Sequence, residues 1–233
     1  MEYANFRDVL EVLHRNQILY VILRNYDNLL EQKVYMDGHG DVDMLVEDSY
    51  KVADLLGAKT YQMHGDDGTH YYVIVNRQRV SLDLRHIGDG YYCKRWQQDM
   101  LKRRVKYNGF YVMNVEDYFY SLIYHAILQK PIFSEEYRNR LSIMAKQLGI
   151  VISKNKFQSD YIYFMENYMR RYGYTYTYSS DIYVPLYKKS ISLDLLEKDF
   201  KLSWAHRLFS CRCRIIYFIV KCKHLLLTGK FKY

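Results

Sequence analysis

The stretch Gly38-His39-Gly40-Asp41-Val42-Asp43-Met44-Leu45-Val46 constrains the fold more than any other part of the chain. Val42 and Met44 alternate with Asp41 and Asp43, so a β-strand here sends both aspartates to one face and the apolar side chains into a core. Such a strand needs a sheet beside it and a layer over its apolar face. The pattern returns in Val80-Ser81-Leu82-Asp83-Leu84-Arg85, where Leu82 and Leu84 face inwards and Asp83 faces out. If the two strands are neighbours, Asp41, Asp43 and Asp83 converge on one sheet face. Gly38 and Gly40, just before the pair, let the backbone turn tightly and approach a ligand.

Hydrophobic spacing supplies the remaining elements. Residues 5–14 place Phe6, Val9, Leu10 and Leu13 at helical intervals, and 18–23 read as a buried strand. A helix over 49–56 stops at Gly57. Strands over 70–75 and 79–84 are joined by a polar turn at 76–78. After residue 92 the pattern becomes helical: 96–104, 115–129 after an N-cap at Asn114, 135–148 beginning at Ser134, and 160–172 ending at Gly173. The tyrosine-rich stretch 174–187 reads as an edge hairpin or an irregular connector. The class is α+β: a mixed sheet with flanking helices over 1–92, a mainly helical extension over 93–200, and a tail over 201–233. With 49% apolar and 17% aromatic residues and no Gly/Ser linker, the core and helices are expected to pack as one body.

Three carboxylates on one face repel one another by about 4 kcal/mol per close pair at an effective dielectric near 20. A divalent cation relieves that repulsion, and hard oxygen donors suit Mg²⁺ or Mn²⁺ bridging to phosphates. Phosphoryl or nucleotidyl transfer is the chemistry such a constellation supports.

On these residues the chain resembles the nucleotidyltransferase superfamily with the DNA polymerase β-like catalytic core, over roughly residues 17–130. The resemblance implies that Asp41 and Asp43 are the metal-binding pair. Asp83 would be the third carboxylate, binding metal or deprotonating the acceptor hydroxyl. Members of this superfamily usually carry a Gly-Ser pair after the first strand. Here Leu23-Arg24-Asn25-Tyr26-Asp27 stands in its place, leaving Arg24, Asn25, Gly40 and the later Lys130 to meet phosphate oxygens. Leu-Arg-Asn-Tyr followed by Gly-Asp-Val-Asp-Met-Leu-Val looks like a bacterial branch associated with surface polysaccharides, distantly similar to LicD-type phosphocholine transferases. That likeness implies a nucleotide or CDP-alcohol donor and a sugar or glycolipid acceptor. The polar, glycine-rich bridge 83–92 and the helix bearing His125 would line the acceptor pocket through Arg85, Asp89, Tyr92 and His125.

Plainer readings stand beside these. Asp41 and Asp43 can solvate a strand end, and Asp83 can serve a turn or an ion pair. Arg24 can pair with Asp27 or Asp43. His125 can be a satisfied core histidine, and Lys130 can end its helix. Two further functions also remain open: a toxin-type nucleotidyltransferase that modifies tRNA or protein, and a scaffold of the same fold without catalysis.

The net charge of +8 is confined to the tail. Residues 201–233 hold eight Lys and Arg and no Asp or Glu, whereas residues 1–200 hold 26 of each sign. Nucleic acid is a poor fit because the basic residues do not continue onto the body. Within 208–227, Arg212, Arg214, Lys221 and Lys223 are interleaved with large apolar residues, as in a helix lying on an anionic membrane surface. A core-packed helix, an oligomer contact, or a zinc site at Cys211, Cys213, Cys222 and His224 are the alternatives. No signal peptide or 20-residue apolar run is evident, and three of the four cysteines lie in the tail. The expected location is cytoplasmic, peripheral to the inner membrane face.

Overall fold

In the computed structural model, Asp41–Val46 is strand β3 of an eight-stranded mixed sheet. The structure describes residues 1–31, 41–60, 68–130, 133–153, 157–181, 184 and 191–197, and ten single positions between 204 and 226. The chain divides into two units, Met1–Asn114 and Val115–Tyr233.

The first unit contains β1 (Glu2–Tyr3), α1 (Phe6–Arg15), β2 (Tyr20–Ile22), β3, α2 (Ser49–Leu55), β4 (Lys59–Thr60), β5 (His70–Val75), β6 (Gln78–His86), α3 (Lys94–Lys102), β7 (Val105–Tyr107) and β8 (Phe110–Val112). The strands run in the order β1-β5-β6-β3-β2-β8-β7, and β4 is added beside β5. β3 lies parallel to β6 and antiparallel to β2, and β5 and β6 form an antiparallel hairpin. The sheet continues past residue 92 because β8 pairs with β2.

Local chemistry sets the helix boundaries. The Asn5 side chain accepts from the Asp8 backbone N–H while the Asp8 carboxylate accepts from the Asn5 N–H, a closed capping box at the start of α1. Asp48 caps α2 by accepting from the Lys51 N–H, and Gly57, at a φ of +56°, follows its end. The alternation in β3 and β6 then separates two faces. Val42, Met44, Val46, Val80, Leu82 and Leu84 join Phe6, Val9, Leu10 and Leu13 of α1 and Val52 and Ala53 of α2 in one core. On the other face, α3 packs against β2 and β3, where Val21, Leu45, Trp96 and Met100 are buried.

Two hairpin turns carry residues in the left-handed region. Asn76 and Arg77, at φ +46° and +62°, link β5 to β6, and Asn108 and Gly109, at +47° and +92°, link β7 to β8. Both are the two-residue turns whose twist matches antiparallel strands. The Asn-Gly signal of the second marks a hairpin that hydrophobic spacing alone misses.

The second unit has α4 (Val115–Ile123), which widens into a π-helical stretch (Tyr124–Gln129), then α5 (Glu135–Gln147), α6 (Phe157–Tyr172) and a 3₁₀ turn (Leu193–Leu195). The expected helix over 115–129 is thus two geometries in series. Ser134 caps α5 by accepting from the Tyr137 N–H. Of the tyrosine-rich stretch, Tyr176 bridges to Leu196, and its hydroxyl donates to Glu166 of α6. No helix among the described residues is long and apolar enough to cross a membrane.

Candidate active site

Strand register places the three aspartates. Across the parallel β3–β6 pair, Asp43 lies directly opposite Asp83 and Asp41 opposite Ser81. Side chains alternate along a strand, so Asp41, Asp43, Ser81 and Asp83 share one face. That is the face α3 covers near Val21 and Leu45, and the aspartates occupy its other end. Asp41 is exposed, and the Asp43 and Asp83 side chains are 14% and 22% exposed.

One residue that sequence reasoning missed extends this row. His70 of β5 lies opposite Asp83. The Leu84 N–H donates to the Thr69 carbonyl at 2.9 Å, which makes His70 and Asp83 a non-hydrogen-bonded antiparallel pair. At such pairs the Cα atoms approach to about 4.5 Å and the side chains are closest. The row His70, Asp83, Asp43 therefore crosses three strands. Only the tertiary pairing shows it, because His70 simply begins an alternating strand in sequence.

Each inner aspartate has an arginine. Arg24, just beyond β2, places Nη2 2.6 Å from Asp43 Oδ1, and Arg85 places Nη2 3.3 Å from Asp83 Oδ2. Both arginines are almost fully buried, and their guanidinium carbons lie 5.7 and 4.4 Å from the centre of the Tyr91 ring. The backbone explains why Arg24 reaches Asp43. The Leu23 N–H donates to the Asp43 carbonyl at 2.8 Å, and Asn25 turns the chain away at a φ of +54°, a conformation asparagine tolerates. Arg24 Nη1 is buried and makes no hydrogen bond among the described residues.

The charges adjust accordingly. Burial raises the Asp83 carboxyl above the ordinary range; Arg85 pulls it back, Asp43 pushes it up, and His70 and Asp41 add smaller opposed effects. Burial opposes the Arg24 charge, but Asp43, Tyr91 and Tyr92 outweigh it and hold the guanidinium well above its usual value. Burial likewise pushes the Tyr91 hydroxyl up to about 12.

Of the other sequence-predicted site residues, Asp89, Tyr92 and His125 are buried. Asp89 was expected in an acceptor pocket but is 2% exposed. Its carboxylate accepts from Gln97 Nε2 at 2.6 Å and from the backbone N–H groups of Tyr91 and His86. Gln97 also donates to the His86 carbonyl and accepts from the Gly88 N–H, so the polar bridge 86–91 is tied to α3 from within. Tyr92 is 1% exposed and packs on Tyr91 and Trp96. His125 is buried in the second unit, with Nδ1 3.0 Å from Gln129 Oε1 and its ring edge-on to Tyr137. Lys130 follows the π-helical stretch of that unit and is exposed. Gly40 lies outside the described residues, as do Cys213 and His224 of the proposed zinc set.

Three carboxylates on one sheet face suit a hard divalent cation in kind. In this arrangement two of them are engaged by arginines, and no group of three His, Cys, Asp or Glu among the described residues is gathered tightly enough to hold an ion. A cation at Asp43 meets Oδ2 or, once Arg24 yields it, Oδ1.

No protein-family model matches the chain, and no curated protein matches it. Among solved structures, the antibiotic-resistance factor ANT(2'')-Ia is similar over 71% of this chain and 92% of its own, with 11% sequence identity and a TM-score of 0.37. A likeness of that size leaves the functional reading to the geometry of the site.

Proposed function

We propose that the chain is a nucleotidyl- or phosphotransferase, dependent on Mg²⁺ or Mn²⁺ and cytoplasmic. The acceptor in this reading is a sugar or lipid-linked glycan of a bacterial surface polysaccharide. The observation that carries the chemistry is the register of β3 on β6, which sets Asp43 opposite Asp83 with Asp41 alongside. The choice of acceptor rests on the sequence resemblance.

In this reading Asp41 and Asp43 hold the cation, which neutralises their charge and polarises phosphate oxygens when bound. Arg24, released from Asp43, meets a donor phosphate oxygen through its unsatisfied Nη1. Asp83, with its raised pKa, takes the proton of the acceptor hydroxyl as that oxygen bonds to phosphorus. The bond from phosphorus to the leaving group breaks in the same displacement. Arg85 steadies the Asp83 carboxylate.

A second reading, a scaffold without catalysis, draws on one specific contact: the 2.6 Å pair between Arg24 and Asp43, which occupies a metal-binding oxygen. Thermal melting with CTP, ATP, UTP and CDP-alcohols, each with and without Mg²⁺, separates the two. A donor raises the melting temperature by mass action only where the site binds it. A shift that needs Mg²⁺ and disappears in Asp43→Asn supports the enzyme, and no shift with any donor supports the scaffold.

A further inference from the structure

The described tail positions 204, 207, 208, 211, 212, 215, 218, 219, 222 and 226 are all helical, and all are exposed except Cys222, which is partly so. Numbered around a helix at about 100° per residue, these described positions lie within roughly 140° of one another. Trp204, Leu208, Ile215, Phe218, Ile219 and Leu226 are each more than half exposed. Arg207 and Arg212 are exposed among them, and the Arg207 guanidinium carbon lies 5.8 Å from the centre of the Trp204 ring. These residues make an exposed apolar face, unpartnered among the described residues, that also carries two cations.

We propose that this face is a lipid-docking surface: it lies in the interfacial plane of an anionic bilayer, with its apolar side chains among the acyl chains and its arginines at the headgroups. The charge selects this occupant. Residues 201–233 carry eight cations and no anion, so pairing two copies through this face sets like charges together, whereas an acidic leaflet complements them. A nucleic-acid backbone matches the cations but offers nothing to six large apolar side chains. Arg212, Arg214, Lys221 and Lys223 interrupt the apolar sequence, so the segment lies on the bilayer and does not span it. The long arginine stems cover apolar surface while their heads stay wet. This inference does not depend on the chemistry proposed for β3 and β6.

The test uses the full chain with phosphatidylcholine vesicles and with the same vesicles containing phosphatidylglycerol. Co-sedimentation with the anionic vesicles alone is expected, weakened by salt, with a blue shift of tryptophan emission that Trp204→Phe abolishes. The double variant Ile215→Glu with Phe218→Glu, at exposed positions, should lose at least tenfold in partitioning with its circular dichroism unchanged. A second variant, Arg207→Gln with Arg212→Gln, should lose about fivefold per residue. Equal binding to neutral vesicles overturns the proposal, as does binding to neither. A lipid-free dimer dissociated by the double variant also overturns it and assigns the face to a second copy of the chain.

Discussion

Asp43 and Asp83 face each other across parallel strands β3 and β6, and each is held by its own buried arginine. Two like charges at adjacent register positions destabilise a sheet. Burial, more than the neighbouring Asp43, raises the Asp83 pKa, while Arg85 pulls it back. Because its folded pKa is raised, the folded state favours the protonated acid. Stability is then lost as pH rises from the ordinary carboxylate value near 4 through the raised one. Asp83→Asn should flatten this slope and raise the urea midpoint at neutral pH. In a transfer assay the same variant should fall at least about 100-fold.

Arg24→Met removes the partner of Asp43 and leaves a carboxylate partly buried beside two others. The expected loss is about 3–5 kcal/mol in metal-free buffer, the scale of breaking a buried pair. Added Mg²⁺ should recover part of it. Melting curves with and without the ion measure both effects, and a variant indifferent to Mg²⁺ would show that the arginine does not stand where a cation binds.

Asp89→Ala leaves Gln97 Nε2 and the backbone N–H groups of His86 and Tyr91 without their shared acceptor. A destabilisation of about 3 kcal/mol or more is expected from orphaned buried donors. Denaturant unfolding checks it, with amide exchange expected to rise first at residues 86–91.

Arg77 sits at a φ of +62° in the β5–β6 turn. The left-handed conformation costs a non-glycine residue about 1–2 kcal/mol, and glycine removes that cost against its own greater chain entropy. Arg77→Gly should therefore stabilise the chain by up to about 1 kcal/mol with β3 and β6 undisturbed, as equilibrium unfolding can show.

The sequence makes β2, β3, β5, β6 and both early helices legible, because in each of them spacing and burial coincide. β1 and β4, two residues each, are too short to show a period, and the π-helical widening after Ile123 leaves no mark on hydrophobic spacing. The site divides in the same way. Alternation and register agree for Asp41, Asp43 and Asp83, so their shared face could be read in advance. A polar, glycine-rich bridge looks alike in sequence whether it faces a ligand or a buried glutamine, so the burial of Asp89 and Tyr92 is not legible there. Arg24 had two possible partners in sequence, and only the Leu23–Asp43 hydrogen bond fixes which one it meets.

Divalent-cation binding tests the central claim most directly. Titration of the metal-free protein with Mn²⁺, followed by calorimetry, should give a site that weakens at least tenfold in both Asp41→Asn and Asp43→Asn while their melting transitions stay cooperative. Cooperative variants that bind Mn²⁺ as tightly as the parent protein would contradict the account.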